Sequence, residues 1–305
     1  MTDQQHQLLN INPDLVRRIL VNAIRETGEA VTGNARGRWV VNLSGGLDSS
    51  LVCFLAAEAV GAKNVRALLL PWKTSAPESA GDAMRVVEAL GIDYQVYDIT
   101  EAVTGLYNAK GVPVDEANRR ARGNVMARMR MIFGYEECER WNALLLGTSN
   151  KTEALLGYTT IWGDSASALN LITDLYKTQV RQLARSIGVP QVILEKAPSA
   201  DLEPGQTDEN DIGFSYYAVD NVLVRFIDHQ MLPDEIKAVL HTEQGHLGID
   251  WDRAVDRLCG IATDTQMKPG LVDIMEYKRR LIPIVPKISR ATIELDYRPP
   301  KQWGR

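Results

Sequence analysis

Apolar and polar positions change period several times along the chain, and each change predicts an element. Leu15, Ile19, Ala23 and Ile24 form one apolar stripe, so residues 12–27 read as an amphipathic helix that Asn12 or Asp14 would cap. A glycine-bearing link from Gly28 to Gly37 follows. Trp39 to Leu43 is then a short apolar strand and Leu51 to Val60 a helix. Val65 to Leu70 reads as a strand, Glu78 to Leu90 as a helix ended by Gly91, and Tyr94 to Ile99 as a strand. A long helical region runs to Trp141, before the strand Ala143 to Leu146. Asp174 to Gly188 is a helix with the apolar stripe Tyr176, Val180, Leu183 and Ile187.

Short apolar strands alternating with helices predict an α/β fold, a doubly wound parallel sheet covered on both faces. Ligands of such sheets bind beyond the carboxyl ends of the strands, which directs attention to the segments after Leu43, Leu70 and Leu146. Past Pro190 the strand signal fades. A polar segment leads into a helical last third, read as a cap or dimer element. The expected organisation is one domain: a helix at 12–27, an α/β core at 38–190, and a loop and helical part at 196–305.

Composition narrows the class without choosing the function. The 305 residues are 45% hydrophobic with net charge −5, enough for one large core and no support for a nucleic-acid surface. No apolar run reaches membrane-span length, and the N-terminus lacks a signal-peptide pattern. Cys53, Cys138 and Cys259 are far apart and form no CxxC, which argues against a zinc site or a disulfide framework and for a reducing cytoplasm.

Candidate chemistry starts at Ser44-Gly45-Gly46-Leu47-Asp48-Ser49-Ser50, between the first strand and its helix. Two glycines let backbone approach a ligand, the helix start offers N–H groups and a positive dipole end, and the serines add hydroxyls. This is an anion cradle without the lysine of a Walker loop. A carboxylate inside it, Asp48, would repel phosphate unless a cation such as Mg²⁺ lay between them. The bland alternative is that Asp48 and the serines cap a helix.

Asn150 and Glu153 have capping-box spacing, and Glu153, on the same sheet edge as Asp48, is also a candidate second Mg²⁺ carboxylate. Lys177, Arg181 and Arg185 make a basic stripe. Lys177 in a first turn opposes the dipole, so it either reaches an anion or is a solvated surface lysine. In the long helical region that contains Arg122 to Met131, Val125, Met129, Ile132 and Phe133 form the expected core stripe, Asn124 and Arg128 sit one turn apart, and Met126 and Met131 stand outside the stripe. The polar run Lys196 to Glu209 is a long loop of the kind that forms lids.

The Ser-Gly-Gly-Leu-Asp-Ser-Ser run resembles the pyrophosphatase loop of the N-type ATP pyrophosphatases, which are proteins of the adenine nucleotide alpha hydrolase type. Other motifs, in family order over roughly residues 38 to 285, resemble the ammonia-using NAD synthetases. The resemblance places ATP phosphates against Ser44, Gly45, Gly46, Asp48, Ser49, Ser50, Thr148, Lys177 and Ser199, and Mg²⁺ on Asp48 and Glu153. It places the dinucleotide substrate, deamido-NAD, against Asn124, Arg128 and Lys278. Lys196 to Glu209 and Pro71 to Glu78 resemble the family's two mobile loops. Where many members read Lys-Tyr-Gly-Asp and a second Asp, this chain has Ile161-Trp162-Gly163-Asp164 and Ala168, which points to a subgroup.

The implied reaction transfers AMP from ATP to the nicotinate carboxylate, and ammonia then displaces AMP. No general base is assigned. Asp164 is a candidate, set against a plain turn role. Glutamine-using members of the resembled family carry an amidase domain before this loop. With 43 residues before Ser44 and no amidase nucleophile among them, the expected nitrogen source is free ammonia or ammonia from a separate partner. A cytoplasmic homodimer is expected, with the helix from Asn124 to Trp141 as its contact. The alternatives are a GMP-synthetase-like aminase, a tRNA modifier, or a nucleotide-binding module without catalysis.

Overall fold

The computed structural model describes residues 8–33, 37–115, 118–198 and 207–259. In chain order its elements are α1 (Pro13–Thr32), β1 (Arg38–Asn42), α2 (Leu47–Val60), β2 (Val65–Leu69), α3 (Pro77–Leu90) and β3 (Asp93–Val96). There follow α4 (Thr100–Ala109), α5 (Arg119–Trp141), β4 (Ala143–Gly147), α6 (Lys151–Leu156), β5 (Leu169–Asn170) and α7 (Lys177–Ser186). The last described elements are α8 (Gln191–Glu195), α9 (Asp208–Ile212), α10 (Tyr216–Leu223), α11 (Pro233–Gln244) and α12 (Trp251–Leu258).

The five strands form one sheet in the order β3-β2-β1-β4-β5, and every pairing is parallel. The order reverses at β1, whose neighbours are β2 and β4, so a crevice opens where the chain leaves β1 and β4. One core, including Trp39, Val41, Leu51 and Leu55, packs α1, α2 and α7 on one face. A second, including Val40, Leu68, Trp72 and Met126, packs α4 and α5 on the other. The C-terminal helices have a core of their own around Phe226, Ile236 and Trp251, joined to the α/β part through Leu155, Leu156 and Tyr176.

The expected doubly wound α/β sheet is present, and several expected details are not. Asn12 does cap α1, its side chain accepting from the Leu15 amide at 3.1 Å. The buried face of α1 is Val16, Leu20, Val21 and Ile24, whereas Leu15 is 46% exposed, so only Ile24 of the expected stripe lies in it. Gly28 lies inside α1, which ends only at Gly33, in a left-handed conformation (φ 71°). The two-residue β5 was not foreseen, because so short a strand carries no period.

The expected register of α5 is also corrected. Met126 is fully buried, while Ile132 is 50% exposed. The helix lies against β1 and β4 through Gly134, where an added Cβ would come within 3.1 Å of Leu145 and 3.2 Å of Asn42. That close approach sets the buried positions at Met126, Gly134 and Cys138, while Val125, Met129 and Phe133 of the expected stripe pack half-buried against the same core and Ile132 turns outward.

Candidate active site

A cleft of about 1700 Å³ opens at the carboxyl ends of the strands, lined among others by Ser44, Asp48, Ala76, Arg128, Thr148 and Lys177. Its floor is the turn between β1 and α2. Gly45 has φ +78°, and a Cβ there would meet the Ser79 carbonyl at 2.2 Å, so the turn requires glycine. The Ser44 and Ser49 hydroxyls bond each other at 3.1 Å, and the Ser50 hydroxyl donates to the Gly46 carbonyl at 2.7 Å. Ser44, Gly46, Asp48 and Ser49 line the cleft, whereas Gly45 and Ser50 support the turn from behind. No side chain caps the N-terminus of α2, so the positive end of its dipole faces the cleft.

Asp48 is not a helix cap. One of its oxygens accepts from the Asn150 side-chain amide at 3.0 Å, and the other pairs with the Lys177 ammonium, 129 residues away in sequence. Lys177 also donates to Glu153 at 3.3 Å. The capping reading of Asn150 and Glu153 holds, and it leaves one Glu153 oxygen for the cleft. Asn150 caps α6, and one Glu153 oxygen completes the capping box on the Asn150 amide at 3.2 Å. The other Glu153 oxygen is the one that faces Lys177.

The expected basic stripe on α7 is split by burial. Lys177 is buried, Arg181 is spent on the Leu194 carbonyl, and Arg185 is exposed. Burial works against the Lys177 ammonium, yet Asp48 and Glu153 more than offset it and hold the ammonium above its ordinary pKa. Burial raises the Glu153 carboxyl; Lys177 opposes that shift and Asp48 reinforces it.

Sequence reasoning missed a third carboxylate. Asp208 accepts from Tyr158 at 3.2 Å and from Tyr216 at 3.1 Å, and the Tyr216 ring lies 5.0 Å from the Lys177 ammonium. Burial raises the Asp208 pKa, and Lys177 opposes the shift. The available signal was Thr207 followed by acidic residues, a helix-start pattern inside a run read only as loop. Lys196 was missed as well. It lines the cleft and holds Asp82 of α3 at 2.8 Å.

Around Lys177, then, acidic groups outnumber the one ammonium, so a further cation would offset charge there. Among the described residues no three His, Cys, Asp or Glu converge as a complete metal cage. The donor set fits an ion that takes one or two carboxylates and completes its shell with phosphate oxygens and water.

The far wall is made by α5 and the 158–164 turn. Asn124 accepts from the Thr160 hydroxyl at 2.8 Å, and Arg128 donates through Nε to the Ile161 carbonyl at 3.1 Å. Asp164 accepts from the Thr160 amide at 2.7 Å and the Thr159 hydroxyl at 2.9 Å, which is the turn role. Ser199 and Lys278 lie outside the described residues.

Fold and site together define a class: a doubly wound protein of the adenine nucleotide alpha hydrolase type, with a glycine-and-serine turn and clustered carboxylates at its switch point. Within that class the chain belongs to the NAD synthase family, whose model matches residues 19–248. It is 42% identical to the NH(3)-dependent NAD(+) synthetase of Trichlorobacter lovleyi, over 97% of this chain and 99% of that one. It is 41% identical to the protein of the same name from Chlorobaculum tepidum, over 97% and 98%. Among solved structures, the NMN synthetase of Francisella tularensis superposes with a TM-score of 0.65 at 27% identity, covering 85% of this chain and all of that one. The NH3-dependent NAD synthetase of Campylobacter jejuni does so with 0.58 at 29%, covering 77% and 95%.

Proposed function

We propose that the chain is a ligase that amidates nicotinic acid adenine dinucleotide with ammonia. ATP would activate the carboxylate as a mixed anhydride with AMP, giving NAD, AMP and pyrophosphate, the last step of NAD biosynthesis. The observation that carries this reading is the cleft itself. The β1–α2 turn, Asp48, Glu153 and Lys177 line the same cavity as Arg128, which supports a site that takes a nucleoside triphosphate and an anionic acceptor together. The names of the curated relatives support the same reading.

Asp48 and Glu153 would hold Mg²⁺, which when bound neutralises charge on the departing pyrophosphate. The chain's own part is to place the phosphates and then the acceptor. The amides at the start of α2, the Ser44, Ser49 and Thr148 hydroxyls, and the Lys177 ammonium would face the phosphates. Arg128 and Asn124 orient the acceptor, and the enclosing walls reduce the access of water to the anhydride. Ser199 and Lys278 are carried as further contacts of ATP and the dinucleotide.

We read the described cores as one domain. The outward face of α5, with Ile132 and Tyr135, is assigned to a homodimer in the cytoplasm. No described helix is long and apolar enough to cross a membrane.

A second reading takes the mononucleotide acid as acceptor. The likeness to an NMN synthetase favours it, as do Ile161 and Ala168, which leave that stretch of the wall without the family's common charges. One assay separates the readings: pyrophosphate and amide formation from ATP, Mg²⁺ and ammonium with either acid, omitting each component in turn. Equal NAD, AMP and pyrophosphate from the dinucleotide, with a far smaller kcat/KM for the mononucleotide, is the expected result. The reverse preference would overturn the assignment of substrate, and faster use of glutamine than of ammonia would overturn that of the nitrogen donor.

A further inference from the structure

The N-terminus of α7 carries Lys177 and has an unusual set of partners. Helix starts leave backbone N–H groups without intrahelical acceptors, and a nearby Ser, Thr, Asp or Asn in the same segment normally takes them. Here two other elements do so. The Lys177 amide donates to the Thr152 hydroxyl of α6 at 2.9 Å, and the Thr178 amide donates to Asp220 of α10 at 2.8 Å. The Thr152 hydroxyl in turn donates to the other Asp220 oxygen at 2.5 Å. Asp220 and Thr152 are both fully buried. Thr152 precedes Glu153, and Lys177 stands between Glu153 and Asp48. One carboxylate from the C-terminal helices therefore fixes both backbones that carry the charged groups of the cleft. Its negative charge also offsets the unfavourable placing of a lysine at the positive end of α7.

We propose that Asp220 is a positioning residue of the active site: through Thr152 and the Thr178 amide it sets where the Lys177 ammonium and the Glu153 carboxylate stand. It touches no substrate. This inference rests on the proposed ATP chemistry and deepens it. An asparagine in its place has one acceptor oxygen instead of two, so either Thr152 or Thr178 loses its partner. Displacements of about 1 Å in such a site cost on the order of 100-fold in rate.

The test compares Asp220→Asn, Thr152→Val, their double variant, Thr152→Ser, and Tyr217→Phe as control. Tyr217 lies on the same helix but bonds Gln244 at 2.9 Å, away from the cleft. For Asp220→Asn and Thr152→Val we expect kcat/KM for ATP to fall by on the order of 100-fold with KM for the acceptor little changed. The double variant should be no worse than either single, because the pair acts as one unit. Thr152→Ser keeps the hydroxyl and should restore the rate, and Tyr217→Phe should keep it throughout. Calorimetric affinity for an ATP analogue with an uncleavable α–β linkage should fall in parallel.

Wild-type rates in Asp220→Asn and Thr152→Val, additive losses, or a KM for the acceptor that rises as much as that for ATP would overturn the proposal. If Asp220→Asn does not fold, Thr152→Val against Thr152→Ser decides. If the wild type amidates neither acid, the functional reading fails by itself, and analogue affinity still decides this one.

Discussion

The two ends of the cleft use their polar groups in opposite ways. At the phosphate end Asp48, Glu153 and Lys177 are clustered, largely buried and mutually charged, with Asp208 close behind. At the acceptor end Asn124, Thr159, Thr160 and Asp164 bond one another and the backbone, while Arg128 remains exposed. The first holds concentrated charge that pairs internally until a ligand arrives. The second is a self-satisfied wall, its carboxylate Asp164 already bonded to Thr159 and Thr160, with one guanidinium at its rim. Substitutions at the first end should therefore change the chemical step, and those at the second should change how well the acceptor is held.

The sharpest test of that contrast is Asp48→Asn. It should lower kcat by about 100-fold or more, read as pyrophosphate release at saturating substrates. A change confined to KM would erase the distinction between the ends.

The scaffold behind the phosphate end should show itself in the pH dependence of stability. Burial pushes the Asp220 carboxyl up to about 6 from an ordinary 3.8. A raised value means that the protonated form favours the folded chain. That contribution is whole below pH 3.8 and is lost as the pH rises through 6. The stability margin of the wild type over Asp220→Asn should therefore narrow by roughly 2–3 kcal/mol across that window, measured by urea unfolding. A margin that widens with pH would reverse the assignment.

At the acceptor end, Arg128→Ala should raise KM for the acceptor about tenfold, near 1.4 kcal/mol, and leave kcat close to wild type. The smallest effect is expected from Asp164→Asn, whose side chain can still accept from the Thr160 amide. A rate within about threefold of wild type would fit the turn role, whereas a loss nearer that typical of a general base, about 100-fold, would give Asp164 a catalytic one.

What could be read from the sequence follows the same division. The turn between β1 and α2 was legible because its pattern is local: the strand, two glycines, Asp48 and the serines are consecutive. The Asn150–Glu153 box was legible for the same reason. That Lys177 would be buried against Asp48 was not, since helical spacing alone groups it with Arg181 and Arg185. Met126 and Ile132 exchanged roles because Gly134, which carries no hydrophobic signal, decides how α5 approaches the sheet. Asp208, Tyr216 and Asp220 come from segments that meet the cleft only after the chain has folded back on itself.

The helix that carries Asp220 continues into a π turn over Val224–Asp228. Asp228 pairs with Lys151 at 2.8 Å, next in sequence to the Thr152 that Asp220 holds. In an unbroken α-helix two residues eight positions apart differ by about 80° around the axis, which would aim these aspartates in different directions. The wider turn takes up much of that angle, so both reach the start of α6. Chain length between Asp220 and Asp228 is thereby locked. Removing a single residue there would rewind the segment to α-helical pitch and detach one grip, so natural variation in length should fall in the surrounding connections and spare this stretch.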